Sequence, residues 1–181
     1  MPYDIYVLDE TDLTVTGGQL DGVTQGDGSH LNGLQITLNT NAWQAITIND
    51  NDANFQDNDG SQTLASGLTI DGNTYAAGAI VEAEYSFEVT DGTNTWTAVA
   101  FNVRGGPGPS YGSIEGIAFV EGPGGFPPVG VPLTVTATAE GPSFAASSYS
   151  TPICFGAGTL IETETGLRAI DDIAVGDLVM T

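Results

Sequence analysis

Residues 81–89 alternate without a break: Val81, Ala83, Tyr85, Phe87 and Val89 fall on odd positions, Glu82, Glu84, Ser86 and Glu88 on even ones. A period of two is the mark of a strand with one buried and one solvated face, which places this stretch in an antiparallel sheet. Asp91-Gly92-Thr93-Asn94 then turns the chain back into residues 95–103, predicting a hairpin. The return strand carries Trp96 on one side and Val99, Phe101 and Val103 on the other. It is expected to be central, covered from above and below.

Further strands are expected at 3–8, 12–16, 34–38, 45–48, 116–121 and 133–139, each an apolar run bounded by Gly, Asn or Asp. The 25 glycines and the lack of any amphipathic helical run between strands imply an all-β fold, an antiparallel β-sandwich of Ig-like or jelly-roll type. Residues 17–33 and 105–112 read as turn-rich loops, and 122–128, with its Pro and Gly, as a stiff extended one. The stretch 140–152 is small and polar, with Ser143, Ala145, Ala146, Ser147, Ser148 and Ser150. The expected organisation is an acidic sandwich over 1–140, a linker over 141–152 and a distinct tail over 153–181.

The chain has 23 acidic residues against two arginines, Arg104 and Arg168, and no lysine, for a net charge of −21. With no cations to displace counterions, nucleic acid is not an expected partner, and neither is an anionic membrane surface. No apolar run approaches the length of a membrane span, so membrane insertion is not expected. Met1-Pro2-Tyr3-Asp4-Ile5 lacks the basic and apolar regions of a signal peptide. The expected location is extracellular or at the cell surface, reached without an N-terminal signal, where a salty or calcium-rich medium screens the carboxylates.

The only cysteine, Cys154, has no partner for an internal disulfide and is either a small buried hydrophobe or a reactive thiol. After it come two strand-like pieces, 158–163 and 167–170, joined by Glu164-Thr165-Gly166, and a Gly176-Asp177 turn into Leu178-Val179-Met180. Cys154, Gly158, Thr159, Ile161, Thr163, Gly166, Gly176 and Asp177 together resemble the first block of the Hint (hedgehog/intein) autoprocessing family: a cysteine, G-T-x-I-x-T-x-x-G, then G-D-x-V. The resemblance covers residues 152–181, and the part before it is similar to the leader regions of secreted bacterial Hint-domain proteins.

The resemblance implies that the Cys154 thiolate attacks the carbonyl of Ile153, turning the peptide bond into a thioester that water or a thiol then resolves. It places Cys154, Ile153, Thr159 and Thr163 at the site of cleavage. The family also uses a histidine in a T-x-x-H motif downstream of the cysteine, whereas the only histidine here is His30, upstream; the C-terminal His-Asn of splicing members is absent too. The tail is therefore expected to be the first strands of a truncated Hint domain, whose self-cleavage needs residues beyond Thr181. No turnover enzyme is expected and no cofactor is required.

Among the remaining candidates, the loop 49–61 is rich in Asp and Asn. Hard oxygen ligands at alternating positions suit Ca²⁺, with Asp50, Asp52, Asp57 and Asp59 as ligands; the same residues also read as a solvated Asx-rich turn. Glu82, Glu84 and Glu88 sit about 7 Å apart along one strand face, a spacing used by glycosidase carboxylates and equally by any wet strand face. Trp43, Trp96, Tyr111 and Phe126 are candidates for sugar stacking or for the core. The expected function is an extracellular passenger or binding domain released or displayed by cleavage at Ile153–Cys154. A calcium-dependent adhesin or carbohydrate-binding module with a protein or glycan ligand is one alternative. A structural subunit of a homo-oligomer or larger surface or particle assembly is the other.

Overall fold

The computed structural model describes residues 1–108, 112–152, 160–164, 166–174 and 177–179. The first strands are β1 (Tyr3–Asp9), β2 (Leu13–Thr16), β3 (Gln35–Leu38), β4 (Gln44–Asn49) and β5 (Asn54–Gln56). β6 (Thr63–Leu64), β7 (Leu68–Ile70), β8 (Asn73–Tyr75), β9 (Val81–Thr90) and β10 (Thr95–Val103) follow. The last are β11 (Gly116–Phe119), β12 (Leu133–Glu140), β13 (Ser143–Ala145), β14 (Leu160–Thr163) and β15 (Gly166–Ala169). Nine of them form one sheet in the order β2-β3-β12-β9-β10-β11-β1-β4-β6, and β13-β5, β7-β8 and β14-β15 make three small ones.

The fold is all-β and antiparallel, in keeping with a β-sandwich. The hairpin at 91–94 forms as expected: Thr95 pairs with Thr90, and the Asp91 carboxylate accepts from the Thr93 and Asn94 amides at 2.8 and 2.7 Å. β10 lies between β9 and β11 and buries both faces, as its sequence requires.

The apolar row of β9 does not stay on one face. Pairing with β10 shifts between Ala100 and Phe101, so that Ala100 opposes Tyr85 and Phe101 opposes Ala83. Glu84 is left as the extra residue of a β-bulge, which bends the strand and re-aims its side chains. Val81 and Ala83 consequently join one core with Ile5, Ile48, Phe55, Phe101 and Val103. Tyr85, Phe87 and Val89 join the other, with Leu20, Leu38, Trp96, Phe119 and Leu133. The bulge thus lets one sheet serve two packed layers. It also corrects the expectation that Glu82, Glu84 and Glu88 share a wet face: Glu88 is exposed, Glu84 is partly buried and Glu82 is buried.

The loop 17–33 is anchored rather than free. Leu20 and Leu31 are fully buried, and the Tyr85 hydroxyl donates to the Leu20 carbonyl at 2.5 Å. Gly28 (φ 70) lies flat on the Tyr85 ring, which a Cβ there would meet at 2.5 Å.

The stretch 141–152, read from sequence as a linker, also packs on the body. β13 pairs with β5, the Ser150 amide donates to the Phe119 carbonyl at 2.8 Å, and Tyr149 is buried edge-on to Phe55 and Phe144. Two aromatics in a small, polar segment suffice to seat it, because each buries far more apolar area than the serines around it. Among the described residues no helix is long and apolar enough to cross a membrane.

Candidate functional site

Of the tail residues implied in cleavage, Ile153, Cys154 and Thr159 lie outside the described residues. Thr163 is within them. It ends β14, which pairs with β15 in the register Leu160–Ala169, Ile161–Arg168, Glu162–Leu167, Thr163–Gly166. Its hydroxyl donates to the Gly166 carbonyl at 2.7 Å. Gly166 has φ 106, a conformation that glycine adopts at little cost. Thr163 also bridges to Val179. Arg168 bonds Asp177 at 2.8 Å, and the same carboxylate accepts the Ala174 amide at 2.9 Å. The two strand-like pieces read from sequence are therefore a hairpin, with Asp177 holding the following turn against it.

The acidic loop is organised as turns. Asp52 accepts the Asn54 amide at 2.7 Å. Asp59 accepts the Ser61 amide and hydroxyl at 2.8 and 2.6 Å and the Gln56 side chain at 2.9 Å. Asp50 accepts the Asn51 amide and, at 2.8 Å, the Ser61 hydroxyl. These bonds hold the Asp59 carboxyl below the ordinary carboxylate range.

The loop thus brings Asp50 and Asp59 onto one hydroxyl. Asp57 stands apart, its amide bonded to the Pro142 carbonyl at 3.1 Å. Among the described residues no three His, Cys, Asp or Glu side chains gather to hold a metal ion. Asp59→Ala is expected to cost about 1–2 kcal/mol, since three donors lose their charged acceptor; urea denaturation of the variant measures it.

A polar cavity lies elsewhere, where β9, β10 and β12 meet the loop at 56–59. About 530 Å³ in volume, it is lined by Asp57, Glu82, Glu84, Asn102, Arg104 and Glu140, with glycines at its rim. Glu82 and Arg104 form a forked ion pair, Nε to Oε2 at 2.6 Å and Nη2 to Oε1 at 2.7 Å. The Asn102 amide donates to Glu84 Oε2 at 2.7 Å. Burial first, then the charges of Asp57, Glu82 and Glu140, push Glu84 up to about 7, with Arg104 opposing. Burial likewise raises Asp57.

Four carboxyl groups face one guanidinium, so the basin disfavours anions, and Glu84 keeps its proton to higher pH than an ordinary carboxyl. Sequence reasoning saw Glu82 and Glu84 but missed Arg104 and Asn102. Counted straight from the Thr90–Thr95 pair, the register would set Asn102 opposite Ala83; only the shift at Ala100/Phe101 brings it opposite Glu82, so no sequence signal could have found them.

The aromatic candidates divide. Trp96 is buried, its indole N–H donating to the Pro123 carbonyl at 2.8 Å, so it belongs to the core. Trp43 and Phe126 are partly buried and stacked at 4.0 Å, each edge-on to Phe119. Tyr111 lies outside the described residues. His30 sits upstream with its Nε2 at 3.1 Å from the carbonyls of Gln19 and Leu20, where it anchors the loop 17–33. No family model, no curated protein and no solved structure matches this chain.

Proposed function

We propose that the chain is an acidic extracellular passenger or binding domain followed by the opening strands of a Hint-type self-cleaving segment. The observation that carries this reading is the hairpin Leu160–Thr163/Gly166–Ala169, closed at Gly166 and bridged from Thr163 to Val179. It begins six residues after Cys154 in the one region where the sequence resembles that family. Thr163 holds the turn through its bond to Gly166, a positioning role.

In the proposed reaction the Cys154 thiolate adds to the Ile153 carbonyl carbon. The C–N bond breaks, the Cys154 amine leaves with a proton, and a thioester joins the two pieces. Hydrolysis then gives a carboxylate at Ile153 and restores the thiol. The acidic body is the part retained outside the cell.

The test is the intact mass of the protein expressed from its complete gene, wild type beside Cys154→Ala, with and without added thiol. The expected result is a 1–153 product in the wild type that thiol increases, and none in the variant. Equal, uncleaved masses for both would overturn the reading.

A further inference from the structure

Both arginines are committed, Arg104 to Glu82 and Arg168 to Asp177, yet the fold gathers a second set of carboxyl groups. Glu115, 1% exposed, accepts from the Tyr75 hydroxyl at 2.8 Å and from the Val103 amide at 2.7 Å. The Glu10 amide donates to the Glu115 carbonyl at 3.0 Å. Asp21 accepts the Ile114 amide at 2.8 Å, and Asp9 accepts the Asp71 amide at 2.8 Å.

The groups that act on Glu115 are Tyr75, Asp71, Asp21 and Glu10, besides the Val103 amide; those that act on Glu10 are Asp21, Asp71, Glu115 and the Leu20 backbone. Tyr85 also faces Glu10 and Asp21. These contacts join the loop 17–33, the β7–β8 hairpin, the end of β10 and the residues leading into β11. With no cation among them, only protons or external ions can neutralise the cluster.

We propose that Glu115 and Glu10, set beside the Asp21 and Asp71 carboxyl groups, form a proton-held latch that closes these segments on one another at mildly acidic pH and loosens as Glu115 and Glu10 ionise. The latch adjoins the acidic basin. Gly106, which lines that basin, is packed so closely that a Cβ there would meet Glu115 Oε1 at 2.6 Å. The Gly22 amide donates to the carbonyl of Gly112, another rim residue, at 2.7 Å. Loosening the cluster therefore loosens the rim at Gly106 and Gly112.

The sign follows from linkage. Burial, reinforced by Asp71 and Asp21 and offset by the Tyr75 and Val103 bonds, pushes Glu115 up to about 7; burial with Asp21 and Asp71 does the same to Glu10. An opening that hydrates them returns each to the ordinary carboxylate value. The closed form is thus favoured fully below that value, and its advantage is lost as pH rises through about 7.

Amide hydrogen exchange at Ile114 and Asp71, corrected for intrinsic rates, reads the opening directly. About a hundredfold more opening is expected at pH 8 than at pH 5. Glu115→Gln presents an N–H to the Tyr75 oxygen and a carbonyl to Val103, imitating the protonated acid, and is expected to flatten the dependence. Glu10→Gln is expected to remove part of it, and the exposed Glu88→Gln none. A wild type without pH dependence, or a Glu115→Gln protein that keeps all of it, would overturn the latch. So would protection at pH 8 restored by millimolar Ca²⁺ in the wild type but not in Glu115→Gln, since the occupant would then be a cation. If Glu115→Gln does not fold, Glu10→Gln decides by the same criterion.

Discussion

Arg104→Ala is expected to lower the free energy of unfolding by about 3 kcal/mol at pH 8. The reason lies in the asymmetry of the pair. The Glu82 side chain is 6% exposed and the Arg104 side chain 52%, so water partly replaces the guanidinium but reaches the carboxylate poorly. Removing the arginine leaves a buried charge among Asp57, Glu84 and Glu140, and strips two charge-assisted hydrogen bonds from it. Half-exposure of the arginine keeps the loss at the low end of what breaking a buried pair costs.

The loss also depends on pH in a stated direction. Arg104 opposes the rise of Glu84, so without it the Glu84 carboxyl binds its proton still more tightly in the folded state, and the defect is full at high pH and shrinks as pH falls and that carboxyl takes a proton. Urea denaturation at pH 8 and pH 5 measures both. A loss under about 1 kcal/mol at pH 8, the size expected of a surface pair, would show that the pair contributes little. Equal losses at the two pH values would remove the desolvation argument. Arg104→Lys is expected to fall between, because an ammonium makes no fork.

Gly116→Ala is expected to cost about 3 kcal/mol, a drop in Tm of roughly 10 °C for a chain of this size. Gly116 sits in β11, opposite Asp9 of β1 and Phe101 of β10. A Cβ there would collide with the Leu8 carbonyl oxygen and meet the Phe101 ring at 3.2 Å. Backbone on both sides prevents β11 from moving away. Gly92→Ala is the comparison: its φ of 94 strains alanine, but nothing lies within 4 Å of the added Cβ, so only about 1 kcal/mol is expected. Thermal melts of the two variants side by side test the distinction; equal shifts would show that crowding at Gly116 is relieved.

The local elements were legible because their causes are local. Alternation marked β1, β9, β10 and β12, and Asp91 with Gly92 marked the turn between the two longest strands. The short strands β5 to β8 were not, since two or three residues carry too little periodicity to stand out. The linker reading of 141–152 weighed its serines and alanines and gave no weight to Phe144 and Tyr149, whose partners lie near residues 55 and 120. The hairpin after Cys154 was legible from Gly166 and the flanking apolar runs.

The candidate sites divide the same way. A count of charges already implied that most carboxylates have no arginine to pair with. Which of them are buried is a different matter. The bulge at Glu84 turns Glu82 inward beside Arg104, and no pattern within 81–89 announces it. Glu10, Asp21, Asp71 and Glu115 are scattered over more than a hundred residues, and only the docking of loops around β10 and β11 brings them together.

By itself, then, the sequence determined an antiparallel β protein with a −21 charge, two cations and a lone cysteine ahead of a short hairpin, because alternation, turn chemistry and charge are properties of neighbours or of sums. Only the tertiary structure decided which carboxyl groups leave water and which meet one another. Desolvation and close approach arise between residues distant in the chain, and those two effects set the proton affinities on which the acidic basin and its latch depend.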